Sequence, residues 1–380
     1  MIVFIYHFSS LGLGASAVYI FFMLSGFWLH RMWNERYALT RHPYLTFIVS
    51  RIWRLAPVMM LVSLITITLL PLLGVPVDLV FSAHPAHLIL SSTFLIGYSW
   101  MAYLPVLPAW SLDIEMQFYM MAPLLSALIV LPRGRRAVLA IALVSSLAFG
   151  LFAPDMHAIL PKYIFFFVLG MVCAEQDWRP SAPLAATSAG VVVAVVLVTL
   201  IAPWRGIMIR GAAPVDLYEF NPLFNIVLSL ACLPLAIYTT ALKSDDTDRM
   251  MGDMSYIIYL LHWVTTPWFG SIKGPFTARL MVAGASFALV PGFAWLIWKF
   301  WDRPINRLRA QWVASRLEGP RSAFTTRLRA VSRSDFPIPD NRVPVHPAGR
   351  PRNPRPADSA ASLPPRHPAG PALGSDPSGA

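Results

Sequence analysis

The sequence predicts an all-α protein, a polytopic bundle of about ten transmembrane helices followed by a disordered C-terminal tail. Three observations predict it. Of the 380 residues, 56% are hydrophobic and only 13% are charged, where soluble domains run near roughly 45–50% and about 25%. The mean hydropathy is +0.58. The apolar residues also fall into runs near the about 20 residues that a spanning helix needs. A soluble fold could not cover that much apolar surface, and in lipid a helix satisfies its own backbone.

The runs follow one another with short loops between them. A stub occupies 1–8, and the first full span lies near 15–33. The next lies near 52–73 and opens just after Arg51. The run at 86–103 is the weakest, because Ser91, Ser92 and Thr93 dilute it. Further spans are expected near 112–131, 137–153, 159–174, 182–202, 223–242, 255–269 and 278–301. No internal repeat is visible. From Glu318 the composition turns to Pro, Arg, Ala and Ser without apolar periodicity. Such a stretch cannot offset its ordering entropy, so 318–380 is expected to be a solvated, disordered tail, and 1–308 the membrane domain.

Net charge is +11, and the isoelectric point is about 10. The basic residues fall mainly in loops and in the tail, which fits the positive-inside rule and anionic headgroups better than nucleic acid. Arg31, Arg36 and Arg41, with Arg51 and Arg54 just inside the next run, mark a cytoplasmic side. The group Arg133, Arg135 and Arg136 calls for that side too, yet simple alternation opposes it if 86–103 spans. No charged region precedes the first apolar run, so no signal peptide is expected. Cys173 and Cys232 both lie in apolar runs, with neither disulfide nor metal-ligand spacing.

Ionisable residues inside spans cost roughly 2.5–3.5 kcal/mol each to insert, so they mark candidate sites. His7 ends the opening stub, and a histidine can take a proton from a hydroxyl; the alternative is an interfacial histidine bonded to backbone. Arg51 and Arg54 share a helix face and suit phosphate or pyrophosphate groups, or else snorkel to headgroups. Glu115 must be paired, protonated or facing water. Ser111, Glu115 and Tyr119 lie on one face at four-residue spacing, and a structural partnership with an arginine is as good a reading as catalysis. Ser255, Tyr259 and His262 form a late polar stripe that faces the bundle interior, where packing alone is the plainer account.

These residues sit in strings that resemble one family. Gly14 to Phe27 (GASAVYIFFMLSGF) is similar to the G-x-x-x-V-x-x-F-F-x-L-S-G-F string of the membrane acyltransferase family known as acyltransferase 3. Arg51 to Pro57 resembles its R-x-x-R-[LI]-x-P. Trp110 to Tyr119, followed by Pro123, Leu124 and Leu125, resembles its W-S-L-x-x-E-x-x-F-Y. Ser255 to Trp263 is similar to S-Y-x-x-Y-L-x-H-W, and Trp301 to Pro304 to the terminal [FYW]-[ED]-x-P. Each string is weak by itself; five in the family's order are specific, and together they cover about residues 1–308.

The resemblance implies a bacterial inner-membrane enzyme that takes an acyl group, usually acetyl, from acyl-CoA at the cytoplasmic face and passes it to a sugar hydroxyl of a polysaccharide or other glycan. It needs no permanently bound cofactor and no metal. Its partners are the bilayer, acyl-CoA and a carbohydrate acceptor, with no nucleic acid. His7 falls where the family has its essential histidine and would act as general base. Arg51 and Arg54 would hold the phosphates of coenzyme A. Glu115 would orient or balance a cationic partner, and Ser25, Trp110, Ser111, Tyr119, Tyr259 and His262 would line the cavity. Ser111 and the backbone amides near Gly26 are candidate oxyanion donors. The family also carries an arginine farther upstream than the six residues before His7 here, so the resemblance implies that the start of the first span is missing. The rival readings are a glycosyltransferase on lipid-linked sugars, a glycan transporter and an inactive truncated homologue. The first lacks an early acidic loop, since only Asp78 lies at 74–86; Asp245, Asp246 and Asp248 come late and read as a solvated turn. The second lacks two related halves.

Overall fold

The computed structural model describes residues 2–9, 11–76, 105–153, 155–156, 158–271 and 276–317. Among them the regular structure is helical, apart from two isolated bridges, Leu11 to Ile209 and Thr40 to Leu317. In chain order the helices are α1 (Ile2–Phe8), α2 (Gly14–Glu35), α3 (Pro43–Leu72), α4 (Trp110–Val130), α5 (Pro132–Phe152), α6 (Ile164–Glu175), α7 (Ala182–Thr199), α8 (Asn221–Thr240), α9 (Asp246–Ser271), α10 (Phe276–Ile297) and α11 (Arg303–Ser315). Among the described residues, six stretches are long and apolar enough to cross a membrane: 43–72, 107–130, 132–152, 182–199, 218–240 and 277–315. The chain is a multi-pass membrane protein. The spans expected at 15–33 and 255–269 sit inside α2 and α9, which are 22 and 26 residues long. The expected span at 86–103 and the expected tail at 318–380 lie outside the described residues.

The apolar faces sort the helices into an outer wall and a centre. On α5 only Val138 and Ala142 are buried, while Ile141 is 68% and Phe152 86% exposed. Such surface is stable only against hydrocarbon. At the centre, α2 packs on α6 with almost no side chain between them. A methyl group on Gly26 would collide with the Phe167 carbonyl, and one on Gly170 with the Met23 carbonyl oxygen. Small residues permit this close approach of helices in membranes, where packing rather than water drives association. Around the contact, Phe22 stacks on Phe167 at 4.5 Å between centroids, and Phe118 stacks on Phe167 at 4.1 Å. Past it, buried His30 bridges Ser126 Oγ (3.1 Å) and Glu175 Oε2 (2.9 Å), tying α2 to α4 and α6. Gly26 is therefore a packing point in mid-helix, which removes its neighbourhood as an oxyanion donor.

Helix directions follow from these contacts. Ser25 meets Glu115 and His30 meets Ser126, so α2 and α4 run parallel. The group Arg133, Arg135 and Arg136 at the start of α5 accordingly emerges at the same end as Arg31, Arg36 and Arg41. Both basic loops lie on one side, as their charge calls for. At the other end of α2, two asparagines of α8 clasp the segment that joins α1 to α2. Asn221 and Asn225 each donate to the Gly12 carbonyl at 2.8 Å, and Asn225 Oδ1 accepts from the Ser16 N–H at 2.9 Å. Gly12 N–H donates to Met208 O at 2.7 Å. The short helix that carries His7 is held by this clasp and by its contacts with α2 and α9.

Candidate functional site

Four side chains of α9 line the polar interior, swinging about 180° around the helix from the first to the last. Asp253, Tyr256, Tyr259 and His262 recur every three residues along it. At 1.5 Å per residue they cover about 13 Å of helix. Ser255, expected on this stripe, faces outwards and bonds only the Gly252 carbonyl. The inward line runs one position away from it, through Asp253 and Tyr256. Hydropathy missed both, but three-residue steps back from His262 reach them.

His7 stands at one end of this line. Its ring lies 5.2 Å from that of His262 and 5.7 Å from that of Trp263, centroid to centroid. His262 is 1% exposed, and its Nδ1 faces the Ile258 carbonyl at 3.3 Å. That bond fixes the ring with its other edge away from its own helix. The Tyr259 ring is 6.1 Å from His262. Ser111 Oγ and Tyr259 Oη are 2.8 Å apart, and both donate to the Pro108 carbonyl, at 3.2 and 2.7 Å. Pro108 is the middle residue of a short turn, Leu107–Ala109, that leads straight into α4. The turn thereby places Ser111 over α9. Trp110 points elsewhere: its ring packs on Tyr163 at 5.7 Å and Phe22 at 6.5 Å, in the aromatic core.

Glu115 is the midpoint. It is 4% exposed, and Oε1 accepts from Ser25 Oγ at 2.7 Å. Oε2 has no hydrogen-bond partner among the described residues. Tyr119, one turn on, faces the same carboxyl, and Arg51 and Arg54 lie within electrostatic reach. A buried carboxyl is costly unless hydrogen-bonded, and the Ser25 and Tyr119 hydroxyls stand against this one.

Arg51 and Arg54 share a helix face but part company in their contacts. Arg54 is clamped by two acids, Asp253 Oδ1 at 2.8 Å and buried Asp302 Oδ2 at 3.4 Å. Removing one member of a buried ion group leaves the others uncompensated, at roughly 3–5 kcal/mol. Arg54→Ala is therefore expected to unfold readily on detergent extraction, and Arg54→Ala with Asp302→Asn to recover part of the loss. Equal melting temperatures for the single mutant and wild type would refute the clamp. Arg51, 7% exposed, donates instead to Tyr37 Oη at 2.7 Å. It lies over the rings of Tyr37 and Phe47, 5.4 and 5.7 Å from their centroids. Ser50 Oγ is 2.8 Å from Tyr37 Oη and accepts from Arg309 of α11 at 3.2 Å. Neither Tyr37 nor Arg309 falls in a motif, and only the fold brings them here.

Tyr37 lies in the loop between α2 and α3, outside the spans. Burial pushes its phenol up, but Arg51, Arg309, Ser50 and Arg36 together pull it down to about 8. A pKa lowered in the fold favours the folded state where the phenol is ionised. The contribution is full above the ordinary value near 10 and is lost as pH falls through about 8. Wild-type melting temperature should rise between those values, and Tyr37→Phe should remove the rise. Parallel curves for the two would contradict it.

The acidic loop has a plain role. The Asp248 N–H donates to Asp245 Oδ1 at 2.7 Å, and the Asp245 N–H to Asp248 Oδ2 at 3.4 Å. This reciprocal cap starts α9. Across the described residues, the site places His7, His262, Tyr259 and Ser111 at one end, Ser25, Glu115 and Tyr119 in the middle, and Arg51 and Arg54 at the other.

A family model described as an acyltransferase domain matches residues 1–299. A protein of Komagataeibacter xylinus named as a membrane-bound transacylase, BcsY, is 28% identical over 279 residues, covering 69% of each chain. No solved structure matches.

Proposed function

This chain belongs to the acyltransferase domain family, as a multi-pass membrane acyltransferase, and from that premise we propose that it moves an acyl group, acetyl in the simplest case, from acyl-CoA to a hydroxyl of a cell-surface glycan. The observation that carries the reading is the line of groups from His7 through Tyr259 and Glu115 to Arg51. A base stands at one end and guanidinium groups at the other, about 13 Å or more apart along α9. The long pantetheine arm of coenzyme A suits that separation. Its phosphates would lie at the basic end, which the positive-inside rule makes cytoplasmic, in the cell membrane. Its thioester would reach towards His7.

The chemistry is a single acyl transfer. The acceptor oxygen attacks the thioester carbonyl carbon while His7 takes the hydroxyl proton. The carbon–sulfur bond then breaks, and the thiolate leaves with that proton. His262 packs beside His7 and holds its position. The Tyr259 or Ser111 hydroxyl, each of which donates to the Pro108 carbonyl in this structure, would turn from it to meet the developing oxyanion. Glu115 orients the middle of the cavity through Ser25 and balances the charge of Arg51.

Membranes containing the chain, supplied with acyl-CoA labelled in the acyl group, test the reading. Label in glycan that depends on the chain is the expected result. Label that stays in acyl-CoA, with the protein inserted and glycan present, would overturn the choice of donor and acceptor.

A further inference from the structure

The outward side of the helical segment that joins α10 to α11 carries cations with no acid to meet them. Lys299, Arg303 and Arg307 follow one another at four-residue steps, from the π-helical segment Trp298–Asp302 into α11. At that spacing they line one side of the helix, over about 12 Å. All three are exposed, and among the described residues none of them forms an ion pair. In the sequence from 291 to 317 the one acid is Asp302, which is buried and held by Arg54. The sequence after 317 is itself richer in arginine than in acid, so it is a poor source of counter-charge.

What lies beneath these cations is aromatic. The Lys299 ammonium sits 4.6 Å from the Trp295 ring centroid and 5.3 Å from that of Phe300, and the Arg303 guanidinium 5.2 Å from that of Trp298. A cation shelved on a ring keeps its outer side open. Trp295, Trp298 and Trp301 fall within two turns of helix, and tryptophans collect at the headgroup level of a bilayer. Beside them Leu296 is 43% and Phe300 67% exposed, so the surface is apolar as well as basic. A helix side of this kind suits the boundary between hydrocarbon and anionic headgroups. Other groups of the same turn are committed to the fold. Trp298 Nε1 donates to Asp253 Oδ2 at 3.4 Å, and Trp301 Nε1 to the Pro57 carbonyl at 3.0 Å.

We propose that Lys299, Arg303 and Arg307, with Leu296 and Phe300, form a binding surface for an anionic phospholipid. Its phosphodiester completes the cations from outside, and its acyl chains lie along Leu296 and Phe300. Arg309, turned to Ser50, takes no part. The surface needs neither the acyl donor nor the acceptor, and it holds whatever group the enzyme transfers. Bound lipid braces the turn that carries Asp302, so it stabilises the folded chain.

The full chain in maltoside detergent is titrated with dioctanoyl phosphatidylglycerol, with dioctanoyl phosphatidylcholine and with inorganic phosphate. Thermal unfolding is followed, because a ligand of the folded state raises its melting temperature. A saturable rise with phosphatidylglycerol alone is expected. Arg303→Gln with Arg307→Gln should need roughly thirtyfold more of it for the same rise, about fivefold for each cation removed. Arg133→Gln with Arg136→Gln removes the same charge at the same end of the bundle, from the start of α5, and should respond like wild type. Melts without lipid show which variants are folded; if the first pair is not, Lys299→Gln is read in its place, with a shift of about fivefold. An equal rise with phosphatidylcholine would reduce the effect to acyl chains, and an equal rise with phosphate to a free anion; either overturns the proposal. A wild-type response in the folded Arg303 and Arg307 variant overturns it as well, and so does an equal loss in the α5 variant, which would make the attraction diffuse. Wild type that ignores phosphatidylglycerol overturns it too and leaves the surface to an acidic protein.

Discussion

His7→Ala is expected to lower acyl transfer by at least about 10²-fold while the protein remains in the membrane at wild-type level. General acid–base groups contribute about 10²–10⁴ in rate, and the other imidazole described at that end of the cavity is His262. His262 is fixed by the Ile258 carbonyl and buried to 1% exposure, whereas His7 is half-buried and reaches the cavity from a short, separate helix. Its neighbours Tyr6, His262 and Trp263 touch it through ring contacts. Truncation costs little packing, so a loss of rate reports chemistry rather than unfolding. The measurement is labelled acyl transfer per unit of membrane-inserted protein. Wild-type activity in His7→Ala would remove His7 from the mechanism and pass the role of base to its neighbour.

Gly170→Val has the largest expected effect on the fold. A side chain there meets the Met23 carbonyl and the Phe27 N–H side of α2, which are backbone and cannot rotate away. The helices would have to part, losing the stacks of Phe22 and Phe118 on Phe167. Overpacking a tight core costs about 1–3 kcal/mol where side chains can yield, and here they cannot, so a loss at or above about 3 kcal/mol is expected. The variant should aggregate on extraction and give no symmetric gel-filtration peak. A monodisperse variant with the wild-type melting temperature would show that α2 and α6 are not in backbone contact.

The fold was legible where lipid imposes length. The runs at 182–202 and 223–242 coincide with α7 and α8 within a few residues, because an apolar helix bounded by Pro or Lys has few other solutions. Hydropathy failed where a helix carries charge for function. It opened the second span at 52, but α3 begins at Pro43, and Ser50, Arg51 and Arg54 mask its early turns. It cut α9 at 255 although the helix starts at Asp246, and it gave no sign that 303–315 is a helix, since α11 is basic and amphipathic rather than apolar. The site shows the same division. Residue types and strings pointed to His7, Glu115, Arg51, Arg54, Tyr259 and His262. Tyr37, Arg309, Asp253 and Asn225 could not be found that way, because their meaning lies in partners 14 to 259 residues away in sequence.

The clamp on Arg54 also fixes an order of assembly. Its acids lie 199 and 248 residues downstream, so a ribosome has made α3 long before either exists. During that interval α3 holds an unmatched cation within its apolar length, at roughly 2.5–3.5 kcal/mol if it inserts fully. The cation is matched only when α9 and the π-helical segment Trp298–Asp302 have been made. Chains that stop short of Asp302 lack the buried acid of the clamp, so the last-made part of the domain is expected to decide how firmly the first-made part is held.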